Sequence, residues 1–183
     1  MVAGLLELFH LAGRLKTTPR AGWALRGVAS PESVADHSWR VALLALVLAP
    51  RMDPPLDRDR CVALALAHDL AEAEVGDITP YDGVSEDEKR RREDEAMRRL
   101  SALAGDDSLA ALWREYDAAA TPEARFVKEL DKLETALQAA EYARAGAAPA
   151  AGLREFAEAA DRRLSSPLTR ALLAALRDEP GAP

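Results

Sequence analysis

Residues 62–67 read VALALA, six apolar positions without a charge, and His68, Asp69, Glu72 and Glu74 follow almost at once. A helix with no polar face has to be surrounded by other elements, so this segment predicts a helix, over about Asp57 to Glu74, that crosses a core. The rest of the chain suits such neighbours. Alanine and leucine dominate and runs of β-branched residues are scarce, which favours helix almost everywhere. At 183 residues the chain fits one domain with a real core. The expectation is a single-domain, all-α helical bundle over residues 1–183.

Punctuation divides that bundle. Residues Val2 to Leu15 carry Leu5, Leu6, Phe9 and Leu11 at helical spacing. Residues 16–32 hold two prolines and two glycines and read as a long loop, of the kind often functional in small domains. Ser33 is placed to cap a helix to about Leu48, with Asp36 three residues on. Prolines 50, 54 and 55 follow it. After the core helix comes Gly76, a C-cap residue. Ser85 with Glu88 opens a charged helix to about Leu103, on which Glu86 and Arg90 are four residues apart and expected to pair. Residues 108–118 read as a short helix. Thr121-Pro122 opens a long one through about Ala145, and two lesser helices near 151–163 and 167–177 close the chain. The tail DEPGAP is expected to fray.

The formal charge is −7, which argues weakly against a nucleic-acid polymer as partner, because binding one needs many phosphates neutralised. The lone Cys61, within an apolar run, reads as a buried thiol. The N-terminal stretch carries Glu7 and His10, is too short to span a bilayer, and reads as an amphipathic helix rather than a signal peptide. The cytoplasm is the expected compartment, with no membrane partner.

Only three histidines are present. His10 sits among apolar residues and reads as packed or at the surface. His68 and Asp69 end the core helix, and Glu72 lies four and three residues beyond them, so the three side chains can converge. An unpartnered charge at the end of a core helix is costly. One imidazole and two carboxylates suit a divalent metal. His37 lies in the first turn of another helix. Asp131 lies within FVKELDKLETALQAAEY, beside an apolar stripe. Three helices could therefore bring His37, His68, Asp69 and Asp131 together. On spacing alone His68–Asp69 could equally end a helix, and Asp131 could be a surface acid. Trp23 could be a core aromatic closing over the first helix; Trp39 and Trp113 read as core or interface.

The order H…HD…D, with the segments PRAGWALRGVASPESVADHSWRVALLAL, ALAHDLAEAEVGDITPYDGVS, EDEKRRREDEAM and FVKELDKLETALQAAEY, resembles the HD-domain superfamily of metal-dependent phosphohydrolases, in its 5′-deoxynucleotidase branch. The resemblance runs from about Leu15 to Tyr142, with a looser match to the helices of 151–177. It implies an HD-domain bundle that hydrolyses deoxynucleoside 5′-monophosphates to deoxynucleoside and phosphate. It implies His37, His68, Asp69 and Asp131 as ligands of a divalent cation (Mn, Co, Mg, Zn or Fe), with Glu72, Asp77 and the Ile78 carbonyl as a second cation site left open. It implies Arg20 against the phosphate, Trp23 against the nucleoside, and Asp77, Ile78, Thr79 and Pro80 along the sugar. Arg20 and Trp23 are separated here by Ala21 and Gly22, so Arg26 is a rival for the phosphate. Glu72 is the candidate for proton transfer and Asp77 a second catalytic candidate. Family members commonly form homodimers. Other phosphohydrolase activities of the superfamily, on cyclic nucleotides, nucleoside triphosphates or (p)ppGpp, and a non-catalytic binding module are the competing expectations.

Overall fold

The computed structural model describes residues 1–181, so Ala182 and Pro183 of the tail lie outside the described residues. Among the described residues the chain is helical, with no strand beyond an isolated bridge between Pro19 and Ser33. In order the helices are α1 (Val2–Gly13), α2 (Ala21–Ala24), α3 (Val34–Leu48), α4 (Arg58–Ala67), α5 (Glu72–Val75), α6 (Glu86–Ala104), α7 (Ser108–Asp117), α8 (Pro122–Arg144), α9 (Ala150–Arg163) and α10 (Pro167–Arg177). Among the described residues no helix is long and apolar enough to cross a membrane.

Side-chain caps start five of these ten helices. Ser33 and Asp36 form the full capping box of α3. Ser85 receives Glu88 N at the start of α6, and Thr121 receives Ala124 N before Pro122 of α8. Asp57 and Ser166 do the same for α4 and α10.

α8 runs through the middle. Phe126, Val127, Leu130 and Leu133 face Val41, Ala45 and Leu48 of α3, Leu64 and Ala65 of α4, and Leu173 and Leu176 of α10. Cys61 is fully buried in this cluster, and burial pushes its thiol pKa up to about 12, so it stays a thiol. Alanines 136, 139 and 140 let α9 approach α8 closely. A second cluster joins Leu8 of α1, Met97 and Leu100 of α6 and Trp113 of α7.

Three expectations are corrected. The loop of 16–32 contains the helical turn α2, packed through Trp23 on Ala139 and Leu153. The core helix does not continue to Glu74. The His68 ring bonds the Ala65 carbonyl (2.7 Å) that the Asp69 N–H would take in a continuing helix. The chain then tightens into bonds three residues apart (Leu70 to Ala67, Glu72 to Asp69) before α5. Gly76, at φ 77°, caps α5 instead. Arg90 pairs with Asp117 of α7 at 2.7 Å rather than with Glu86. Of the two tryptophans read as core or interface, Trp113 is core, while Trp39 is 64% exposed, which leaves it the interface alternative. The buried positions of α3 are 34, 37, 38, 41, 45 and 48, and Trp39 lies off that stripe. Of the tail, Glu179 is tied to Arg144.

Leu64 is fully buried between α3 and α8. Leu64→Ala should cost about 2–5 kcal/mol, read as a lower urea midpoint with an unchanged slope.

Candidate active site

Three elements deliver the polar groups that the apolar core surrounds. The capping box starts α3 so that His37 stands in its first turn, fully buried. The break after α4 turns His68 and Asp69 inward. The middle of α8 supplies Asp131. The His37 and His68 Nε2 atoms are 3.3 Å apart. Asp69 Oδ2 lies 3.1 Å from His68 Nε2 and 3.7 Å from His37 Nε2, and Asp131 Oδ1 lies 3.3 Å from His37 Nε2. The four side chains expected to converge do converge. His37, His68 and Asp69 offer ligand atoms all within 4.8 Å of one another. Asp131 closes the other side, its Oδ2 held by Lys132 (2.9 Å) and the Tyr116 hydroxyl (3.3 Å).

This cluster lies in the wall of a cavity of about 860 Å³. Arg20 enters from the N-cap of α2 and reaches Asp69 Oδ2 at 3.3 Å. Arg26 turns elsewhere, to Glu155 and the Tyr81 hydroxyl, with its guanidinium over the Tyr81 ring. The geometry therefore favours Arg20 over Arg26 as the cavity cation. Trp23 lines the cavity but is 2% exposed. Its indole N–H donates to Glu32 and its ring packs on Tyr142 and Phe156, so it is core and wall at once. Asp77, Ile78, Thr79 and Pro80 line the same side. Asp77 Oδ2 accepts from Ala21 N (2.8 Å), which ties this loop to α2. The Ile78 carbonyl accepts from Lys89 Nζ at 2.9 Å, so a second cation there would have to displace an ammonium group. His10 is exposed on α1 and takes no part.

A protein family described as HD domain matches residues 12–171. This chain belongs to the HD domain family. Among curated relatives, a 5′-deoxynucleotidase HDDC2 of Bos taurus is 51% identical over 141 residues, covering 75% of this chain and 67% of the relative. The 5′-deoxynucleotidase HDDC2 of Danio rerio is 42% identical over 178 residues, covering 96% and 87%. Among solved structures, a conserved hypothetical protein from Pyrococcus furiosus superposes with a TM-score of 0.80 at 32% identity, over 95% of this chain and 99% of that one.

An HD domain implies a divalent cation, and the donor chemistry here fits one. His68 Nδ1 faces the Ala65 carbonyl and must donate, which leaves a lone pair on its Nε2. His37 Nδ1 faces the Glu134 carboxylate, which sets the same tautomer. Two lone pairs 3.3 Å apart, with Asp69 and Asp131 beside them, repel unless positive charge sits between. Burial and Arg20 oppose protonation of His37, yet its bonds to Asp131 and Glu134 prevail and raise its pKa to about 9, so where no metal is bound a proton on Nε2 supplies that positive charge and a metal would have to displace it. Burial likewise opposes ionisation of Asp69 and Asp131. The histidines and a neighbouring cation, Arg20 for Asp69 and Lys132 for Asp131, outweigh it and hold both below the usual carboxylate range. Glu72 goes the other way. It is 5% exposed, its Oε2 has no partner, and burial, with Asp69 and Asp77 nearby, pushes its pKa well up.

Sequence reasoning missed Glu134. It is fully buried on the apolar side of α8, three residues after Asp131, and Arg40 also bonds it at 2.9 Å. The argument that singled out Asp131 applied equally to Glu134. Tyr116, which touches Asp131 and packs edge-on against His68, carried no such signal.

Asp131→Ala should lower bound-metal stoichiometry by elemental analysis while leaving the far-ultraviolet circular dichroism intact. Glu72 binds its proton more tightly folded than unfolded, so its contribution to stability falls as pH rises above its ordinary value of 4.5. Chelator-treated Glu72→Gln should therefore gain melting temperature over wild type at pH 8 and converge with it near pH 4.

Proposed function

We propose that this HD domain is a metal-dependent 5′-deoxynucleotidase, hydrolysing deoxynucleoside 5′-monophosphates to deoxynucleoside and phosphate. The observation that carries the reading is the convergence of two imidazole lone pairs and two carboxylates beside an unpartnered buried carboxyl, in the wall of a cavity that also holds Arg20. The relatives' activity supports the substrate class. Identity of 42% over nearly the whole chain supports the transfer.

In this reading His37, His68, Asp69 and Asp131 hold the cation. When bound it supplies Lewis-acid chemistry, charge neutralisation on the phosphoryl group and a more acidic water. Mn, Co, Mg, Zn and Fe are all compatible with nitrogen and carboxylate donors. Arg20 orients the phosphate, for which a guanidinium offers paired donors. Water attacks phosphorus in line with the departing 5′-oxygen. With a cation held beside it Glu72 would favour its carboxylate form, take a proton from that water and return it to the leaving oxygen, a role suited to a carboxyl whose surroundings make it basic. Asp77, with one oxygen on the Ala21 N–H, keeps the other for the sugar 3′-hydroxyl. Ile78, Thr79 and Pro80 flank the sugar, and Trp23 backs the nucleoside.

The full reading also includes a cytoplasmic location and a homodimer. The exposed stripe of Trp39, Leu43, Leu46 and Val47 on α3 would suit a self-association surface.

The test is phosphate release from matched deoxy- and ribonucleoside 5′-monophosphates, after chelation and separate restoration of Mn, Co, Mg or Zn. Triphosphates and cyclic nucleotides serve as controls. Metal-dependent release favouring deoxy monophosphates is expected. Metal binding without monophosphate hydrolysis would move the substrate to another class. Arg20→Ala should lower kcat/KM by about 10²-fold or more, as loss of a charge-assisted phosphate contact does, with Arg26→Ala close to wild type.

A further inference from the structure

The cavity is larger than its catalytic wall. At about 860 Å³ it lies near the upper end of the roughly 300–1,000 Å³ usual for small-molecule sites. One side carries Trp23 and the loop of Ile78 to Pro80. The other lies beyond Tyr116, against the N-terminal half of α8 and the end of α9. There the wall carries Arg125, Lys128, Lys132 and Arg163. Positions 125, 128 and 132 recur at helical spacing along one face of α8.

Three of these cations, Arg125, Lys128 and Arg163, have no carboxylate of their own among the described residues. The Lys128 ammonium lies over the Tyr116 ring, 4.4 Å from its centre. Arg163, at the end of α9, pairs with none. The acids nearby are already engaged. Asp117 is held by Arg90 at 2.7 Å, Asp131 by Lys132 at 2.9 Å, and Glu129 by Ser166 N (3.2 Å) and the Thr169 hydroxyl (2.7 Å). The Arg125 guanidinium donates to the Ala119 carbonyl at 3.2 Å. Burial lowers the Lys128 pKa; the charges of Asp117 and Asp131 oppose this, and those of Lys132 and Arg163 add to it, so the three cations stand close enough to feel one another. Asp117, Glu129 and Asp131 line this end too, but each is already bonded, so Arg125, Lys128 and Arg163 are left facing the cavity without a carboxylate, an arrangement that suits an anion.

We propose that this end of the cavity is a second anion subsite, in which Lys128 and Arg163, with Lys132 beside Asp131, bind a phosphoryl group. Tyr116 connects it to the catalytic cluster, since it touches Asp131, His68 and Lys128. A group here lies beyond the reacting phosphate, on the side away from Trp23. Two sources share that chemistry: free phosphate, and the distal phosphates of a nucleoside di- or triphosphate seated over the catalytic cluster. The inference rests on the proposed activity only for the phosphoryl nature of the ligand.

The test is calorimetric binding, which needs no turnover. Protein treated with chelator and then freed of it by gel filtration is titrated with inorganic phosphate, pyrophosphate and tripolyphosphate. Wild type should bind. Lys128→Met and Arg163→Ala should bind about tenfold or more weakly, as expected for loss of a hydrogen bond to a charged group. Arg154→Ala, an exposed α9 arginine outside the cavity, should match wild type, and circular dichroism confirms the fold of each. Affinity that rises with chain length supports the site with distal phosphates as its source. Affinity equal across the three probes supports it with free phosphate as the source. Absence of binding, or equal binding by wild type and both variants, overturns the proposal. Binding that depends on Lys128 in a protein that hydrolyses no deoxynucleotide would sink the proposed activity and leave this subsite standing.

Discussion

His37 stands inside the bundle with the Glu134 carboxylate behind its ring and those of Asp69 and Asp131 in front. Each of these charges, buried alone, would cost several kcal/mol. Together they are tolerable only if α3, the turn after α4, and α8 hold one arrangement. Arg40 strengthens the rear of that arrangement by bonding Glu134, Gln138 and Glu141 along α8. The apolar packing of Val41, Leu64 and Leu130 keeps the helices together, and the polar contacts restrict how they register. The site is therefore part of the core rather than an addition to it.

The same arrangement divides the cavity. Its centre concentrates negative charge on Asp69, Glu72 and Asp131. Flanking it are Arg20 on one side and the α8 cations on the other. A negative centre suits a cation, and the flanking cations, set among further acids such as Glu93 and Asp117, suit an anionic ligand that meets it. Glu72 is the exception within it. Its oxygen has no partner, and its neighbours make it hold a proton, so it is the acid best suited to exchange one.

Much of this was legible in advance. Ser33, Ser85 and Thr121 announced three helix starts, because a capping side chain acts within its own turn. Asp131 could be singled out because an acid beside an apolar stripe needs a partner. Glu134 satisfied the same criterion and was passed over. Trp39 could be core or interface by residue type, and the period of α3 places it off the buried stripe, which removes the core alternative. The break after Ala67 was hidden, since it arises from a bond between the His68 ring and the Ala65 carbonyl that helical spacing does not reveal. Tyr116 and Lys128 gave no signal, because their importance lies in which helices pack beside them.

By itself the sequence determined the helical class, most helix boundaries, the family resemblance and the four side chains that converge. Those follow from local caps, from apolar periodicity and from short motifs, all of which act within a few residues. Tertiary structure alone decided that Arg20 rather than Arg26 faces Asp69, that Glu134 orients His37, and that Lys89 occupies the Ile78 carbonyl. It alone placed Lys128 and Arg163 together beyond Tyr116. These depend on side chains 11 to 97 residues apart, such as Lys89 with Ile78 and His37 with Glu134, whose distances are set only when the helices pack.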